Sequence, residues 1–152
     1  MLKVVSIMFA FFLFILGCGT EIESINYDDD ATGVKATFNI EEVGDRMRFE
    51  LSLTNEGDEK TFIQFPSGQQ FEIIVRNQDN QEVYRYSDGK MFTMALVMRE
   101  IAPSETLVWR DEWEEATPGL YTVTGELQIM SINGESVDRE QFKIEKTIQI
   151  KE

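Results

Sequence analysis

The sequence predicts an all-β domain, an antiparallel two-sheet sandwich of about eight or nine strands. Three observations carry this. Apolar side chains alternate with period two along most of the chain, the mark of strands with one face buried. Turn residues recur roughly every eight to twelve positions. Helical spacing of apolar residues occurs only once beyond the amino-terminal segment, over a few residues.

The strands follow in order. Val34, Ala36, Phe38 and Ile40 face one way, and Lys35, Thr37, Asn39 and Glu41 the other; Gly44-Asp45 breaks the run. Met47, Phe49, Leu51 and Leu53 then oppose Arg46, Arg48, Glu50 and Ser52, and residues 55–58 turn the chain. Residues 61–65 form a short strand stopped by Pro66-Ser67-Gly68, because proline cannot donate to a sheet ladder. Phe71, Ile73 and Val75 alternate next, and a polar turn at 78–81 leads into a strand over 82–86. After Ser87-Asp88-Gly89, the spacing of Met91, Met94 and Ala95 predicts one helical turn on a crossover between the sheets. Strand rhythm returns at 97–101 and stops at Ala102-Pro103-Ser104-Glu105. Leu107, Trp109 and Trp113 share a face. Thr117-Pro118-Gly119 is a turn, and Tyr121, Val123, Leu127 and Ile129 make a long strand. Asn133-Gly134 is a hairpin dipeptide, and Phe142, Ile144, Ile148 and Ile150 complete the last strand.

The amino end speaks to location. Met1-Leu2-Lys3 precedes an apolar stretch from Val4 to Leu16. A membrane-spanning helix needs about 20 apolar residues, so this stretch suits the apolar core of a secretory signal with Lys3 as its positive head. Ile15-Leu16-Gly17-Cys18 resembles the bacterial lipoprotein signal, which implies lipid on the cysteine and cleavage just before it. The expected organisation is a signal peptide over 1–17, a lipidated acidic tether over 18–32 and a β-sandwich domain over 33–152. The protein is then exported and held to the cell membrane through Cys18, facing the cell wall or periplasm. Cys18 is the only cysteine, so a lipidated domain has no disulfide and rests on packing alone. Asp28-Asp29-Asp30 lacks the alternating ligand spacing of a calcium loop and reads as solvated linker.

Composition excludes several classes. With 28 acidic and 14 basic residues the net charge is −14, which repels phosphate backbones and argues against nucleic acid as a partner. There is no histidine, so Ser-His-Asp and Cys-His catalysis and histidine-ligated zinc are ruled out. Asp111, Glu112, Glu114 and Glu115 crowd after Trp109; they read as a solvated strand end rather than a glycosidase pair. No catalytic residue, metal site or cofactor is expected, and the chain is not read as an enzyme.

The densest signature is Phe65-Pro66-Ser67-Gly68-Gln69-Gln70-Phe71-Glu72, followed by the block from Val83 through Tyr84-Arg85-Tyr86-Ser87-Asp88-Gly89-Lys90-Met91-Phe92 to Leu96. The Ala-Pro-Ser-Glu turn at 102–105 and the Trp-bearing strand at 109–113 come after it. Together these resemble the Bacillus intracellular proteinase inhibitor (BsuPI) family over roughly residues 34–127. Met94 stands where the family pattern has Gln, and Ser104 where it has Gly. The resemblance implies an immunoglobulin-like sandwich and a non-catalytic domain that blocks a subtilisin-like serine protease by docking a loop or sheet edge. The founding inhibitor is cytoplasmic, whereas the signal reading places this chain outside. The alternative is therefore an envelope adaptor or structural lipoprotein that binds another envelope protein without inhibition. Candidate partner-binding residues are Pro66, Ser67, Gly68 and Gln69 in one loop and Asp88, Gly89, Lys90, Met91 and Phe92 in another. Sequence does not choose between the two loops, and Met91 and Phe92 read more readily as packing under the crossover than as a protease-binding epitope.

Overall fold

The computed structural model describes residues 32–151; the signal segment, Cys18 and the acidic run at 28–30 lie outside the described residues. Among the described residues eleven strands follow one another: β1 (Val34–Val43), β2 (Arg46–Asn55), β3 (Thr61–Phe65), β4 (Phe71–Asn77), β5 (Glu82–Arg85), β6 (Val97–Ile101), β7 (Thr106–Trp113), β8 (Gly119–Leu127), the two-residue β9 (Ser131–Ile132) and β10 (Glu135–Ser136), and β11 (Lys143–Ile150). All pairings are antiparallel. The domain is an immunoglobulin-like β-sandwich.

The two opposed faces are β1-β2-β7 and β11-β8-β4-β5. A third sheet, β10-β9-β3-β6, was not anticipated by the two-sheet reading. It arises because strands change partners along their length, as corners of orthogonal sandwiches do. The β2–β7 ribbon is interrupted by the turns after Asn55 and before Thr106, and resumes as β3–β6. Past Leu127 the chain leaves β4: Gln128 N–H donates to Gln70 O and Met130 N–H to Gln64 O, both at 2.8 Å, and β9 then pairs with β3. The long strand expected through Ile129 therefore ends at Leu127, although Ile129 remains buried.

Alternation decides which side chains enter the core. On β2, Met47, Phe49, Leu51 and Leu53 are buried while Arg46 and Arg48 are exposed. The sheets approach closely at Gly125 on β8, where an added Cβ would lie 3.0 Å from the Phe38 ring and 3.1 Å from Leu51 Cδ2. Glycine inside a strand is otherwise weakening, and here it marks a close approach. Trp113 on β7 meets Tyr121 on β8 edge to face, with centroids 5.2 Å apart. The hairpin dipeptide behaves as its composition requires: Asn133 at φ 52° and Gly134 at φ 84° join β9 to β10 in two residues.

Two expectations need correction. Residues 90–96 form no helical turn. A single turn is costly to nucleate without a surface to pack on, and Met91, Met94 and Ala95 are exposed. Phe142 is buried as expected, but in a short 3-10 helix (Arg139–Phe142) before β11.

Asn55 proves more than a turn residue. It is fully buried; its Nδ2 donates to Glu59 O at 2.7 Å and Ile101 O at 3.0 Å, and its Oδ1 accepts from Gly57 N–H at 3.0 Å. Its backbone bonds Glu105 O and Ser104 N–H. It thus locks the β2–β3 turn to the β6–β7 turn. Asn55→Ala leaves several polar groups without partners, and we expect a loss of about 3 kcal/mol, read as a lower urea midpoint with an unchanged m-value.

Candidate functional site

The two candidate loops, far apart in sequence, adjoin in space. Loop 66–70 enters β4, and β5 leads into the turn at Tyr86 that opens loop 87–96. Because β4 pairs with β5, and Tyr86 N–H donates to Ile73 O at 2.9 Å, both loops leave neighbouring strands.

Glu72 joins them. Its carboxylate is 8% exposed. It accepts from Ser87 Oγ at 2.5 Å, Ser87 N–H at 3.1 Å and Gln69 Nε2 at 3.0 Å. Ile73 N–H at 3.2 Å and Arg85 Nη1 at 3.3 Å complete the shell. A buried carboxylate is tolerable when its lone pairs are met this fully. A second tie lies nearer the tips, where Gly68 N–H donates to Thr93 O at 2.8 Å. An added Cβ on Gly68 would sit 2.7 Å from Thr93 Oγ1 and 3.3 Å from Thr93 N. Gly68 is therefore needed for close approach, and in its turn Ser67 Oγ accepts from Gln69 N–H at 3.2 Å. The next residue, Gln70, braces the loop from behind: its Oε1 accepts from Trp109 Nε1 and Arg99 Nε, each at 3.3 Å.

Aromatic packing supports loop 87–96. Tyr86 stacks on Phe71 at 4.0 Å between centroids, and Phe92 lies against Tyr86 at 6.0 Å. The Lys90 ammonium sits 3.5 Å from the Tyr86 ring centroid and 3.7 Å from Asp111 Oδ1. Asp111 also accepts from the Tyr84 hydroxyl. Tyr84 is held well above the ordinary tyrosine pKa, first by burial and then by Asp111. Burial, followed by the nearby Asp111 and Glu72 charges, raises Tyr86 as well.

The candidate residues divide into two groups. Pro66, Ser67, Gly68 and Gln69 are half-buried and brace the neighbouring loop. Asp88, Gly89 and Lys90 are exposed, with Gly89 at φ 68°. Met91 is 99% exposed, so it packs under nothing, whereas Phe92 packs as the alternative reading had it. Met94, 89% exposed, extends the exposed face. From there the loop runs into β6, an edge strand carrying the exposed Met98. Gln70 and Thr93 fall at the ends of the candidate loops Pro66–Gln70 and Ser87–Thr93, whereas Glu72 was missed as a positioning residue; the acid closing the Phe65–Glu72 signature was the one signal available for it. Asp111 is engaged by Tyr84 and Lys90, while Glu112 binds Arg48 at 2.9 Å and is held below the usual carboxylate range by that bond. Among the described residues no acidic cluster is arranged to hold a metal ion.

The family model described as intracellular proteinase inhibitor, BsuPI, matches residues 34–132. The chain belongs to the BsuPI family. The match takes in both loops of this BsuPI domain and runs to the end of β9. A sequence search of curated proteins finds no match. Among solved structures, the BsuPI domain is similar to the ApaA protein from Bordetella pertussis at 13% identity and a TM-score of 0.42, covering 76% of this chain and 87% of that one. It is similar to the yjhA protein from Bacillus subtilis at 14% identity and 0.42, covering 79% and 93%. A CARDB domain from Pyrococcus furiosus, solved with di-metal ions, shows 12% identity and 0.40, covering 76% and 85%.

Three outcomes follow from this geometry. Glu72→Gln turns an amide N–H₂ toward a shell of donors and should cost about 2 kcal/mol, with faster amide exchange at Ser87 and Gln69 than in the rest of β4. In alkaline titration the Tyr84 phenol should be the last to ionise. Its raised folded pKa adds stability that is intact below the ordinary tyrosine range and is lost as pH rises through the folded value. Asp111→Asn should lower the Tyr84 midpoint, read by phenolate absorbance, while burial keeps it above the ordinary value.

Proposed function

We propose that this domain is a non-catalytic protease-binding module that occupies the cleft of a subtilisin-like serine protease with loop 87–96, and that lipid on Cys18 holds it at the outer face of a cell membrane. One observation carries the binding reading: a loop without regular secondary structure is pinned at its base by Glu72 and Phe92 and at Thr93 by Gly68, yet presents Met91 and Met94 almost wholly to solvent. Proteases bind extended chain by strand addition. A segment already held in place loses less conformational entropy on docking than a free peptide does. Loop 66–70 serves as the brace. The net charge of −14 adds solubility and is no obstacle to a neutral or basic partner.

The test is titration of the purified full chain, in mild detergent, against a panel of subtilisin-like and trypsin-like proteases, reading residual activity and intact mass together. Stoichiometric loss of protease activity with the domain uncleaved is expected. Met91→Asp and Met94→Asp should each weaken inhibition by about 30-fold, the effect of a binding hot spot. Full protease activity throughout the panel would sink the inhibitor reading and favour an envelope adaptor. For the anchor, Cys18→Ser should move the protein from the membrane to the soluble fraction and end incorporation of labelled fatty acid.

A further inference from the structure

The methionines of this domain are distributed unevenly. Met47 is buried at 4% exposure inside β2, whereas Met91, Met94 and Met98 are 99%, 89% and 65% exposed. Three exposed methionines occur within eight positions, on the loop and edge strand that form the candidate contact face. A solvated apolar side chain has no folding role to explain its place. Its thioether is also the most readily oxidised group on this face, since tyrosine phenols resist mild peroxide and the described residues hold no thiol.

We propose that Met91 and Met94 form a peroxide-sensitive modification site that releases the docked partner when oxidised. In the reaction the sulfur lone pair attacks one oxygen of a hydroperoxide. An S–O bond forms as the O–O bond breaks, the departing oxygen takes the proton from the transferred one, and water or an alcohol leaves. Sulfur loses two electrons and the peroxide gains them. The product is a polar sulfoxide where an apolar, polarisable thioether stood. The fold tolerates the change because neither side chain contributes to the core, and the loop is held through Gly68, Phe92 and Ser87 instead. A sulfoxide in an apolar protease pocket, by contrast, must surrender its hydration without a partner. The change is reversible: a thiol-dependent sulfoxide reductase returns the thioether, the oxygen leaving as water while two thiols become a disulfide.

The release half of this proposal rests on the inhibitor reading; the modification half does not. The experiment exposes the full chain to graded hydrogen peroxide and follows each methionine by peptide mass, the thermal midpoint, and inhibition of a protease that the untreated protein blocks. Met91 and Met94 should gain oxygen at least about tenfold faster than Met47, following exposure. The thermal midpoint should hold, inhibition should weaken by about tenfold or more, and sulfoxide reductase with a dithiol should restore it. Oxidation of Met47 at the rate of Met91, or a falling thermal midpoint, would overturn the site. Undiminished inhibition by protein oxidised at both positions would overturn the switch and leave the inhibitor reading standing. If untreated protein blocks no protease, the inhibitor reading and the switch fall together, and the mass map alone decides the modification site.

Discussion

A carboxylate shut away from water needs a complete set of donors, and the arrangement around Glu72 follows from meeting that need. Two donors come from Ser87, one from Gln69, one from Arg85 and one from the following backbone amide. Supplying them brings the end of β5 and the entry to β4 to one place and closes the start of the turn that follows β5. Everything further out depends on that closure. Tyr86 can stack on Phe71 only because the turn starts there, and Phe92 and Lys90 rest on Tyr86 in their turn. Gly68 meets Thr93 because both loops already stand side by side. The exposed methionines are thus the far end of a chain of contacts that begins with one acid.

The sandwich beneath owes little to its charges. Its ion pairs are mostly exposed, such as Lys60 with Glu100 and Arg110 with Glu50, and such pairs contribute little in water. Stability comes from the inward faces of β2, β4 and β8, where Phe49, Leu51, Ile73, Val75 and Val123 are fully buried. The place where strands change sheets is secured by polar means instead. Asn55 satisfies backbone groups that the broken β2–β7 ribbon would leave without partners. Two of the buried polar side chains, Asn55 at the sheet corner and Glu72 at the loops, thus hold separate segments together, and in each case the side chain's donors or acceptors are met.

For the proposed binding role this division of labour matters. A contact loop must expose apolar groups without collapsing onto its own domain. Here Phe92 rests on the Tyr86–Phe71 stack and Gly68 holds Thr93, while Met91 and Met94 stay outward. Preorganisation of this kind lowers the entropic cost of docking.

How much of this was legible in the sequence varies with the range of the cause. Alternation at 47–53 and 71–75, the Asn133-Gly134 hairpin and the proline stop at Pro66 are local, because strand pleat, turn dihedrals and a missing N–H act within a few residues. They determined the all-β class, most strand positions and the core faces. The Phe65–Glu72 and Val83–Leu96 blocks pointed to the family and to both loops through their resemblance to its motifs. Tertiary structure decided the rest. Helical spacing of Met91, Met94 and Ala95 promised a helical turn, but spacing cannot show whether a surface exists to pack against, and none does. The crossing of β8 into β9, the meeting of Gly68 with Thr93 and the burial of Glu72 each join residues whose proximity depends on register in separate strands. No periodicity along the chain encodes such distances; they are set only when the sheets close on a shared core.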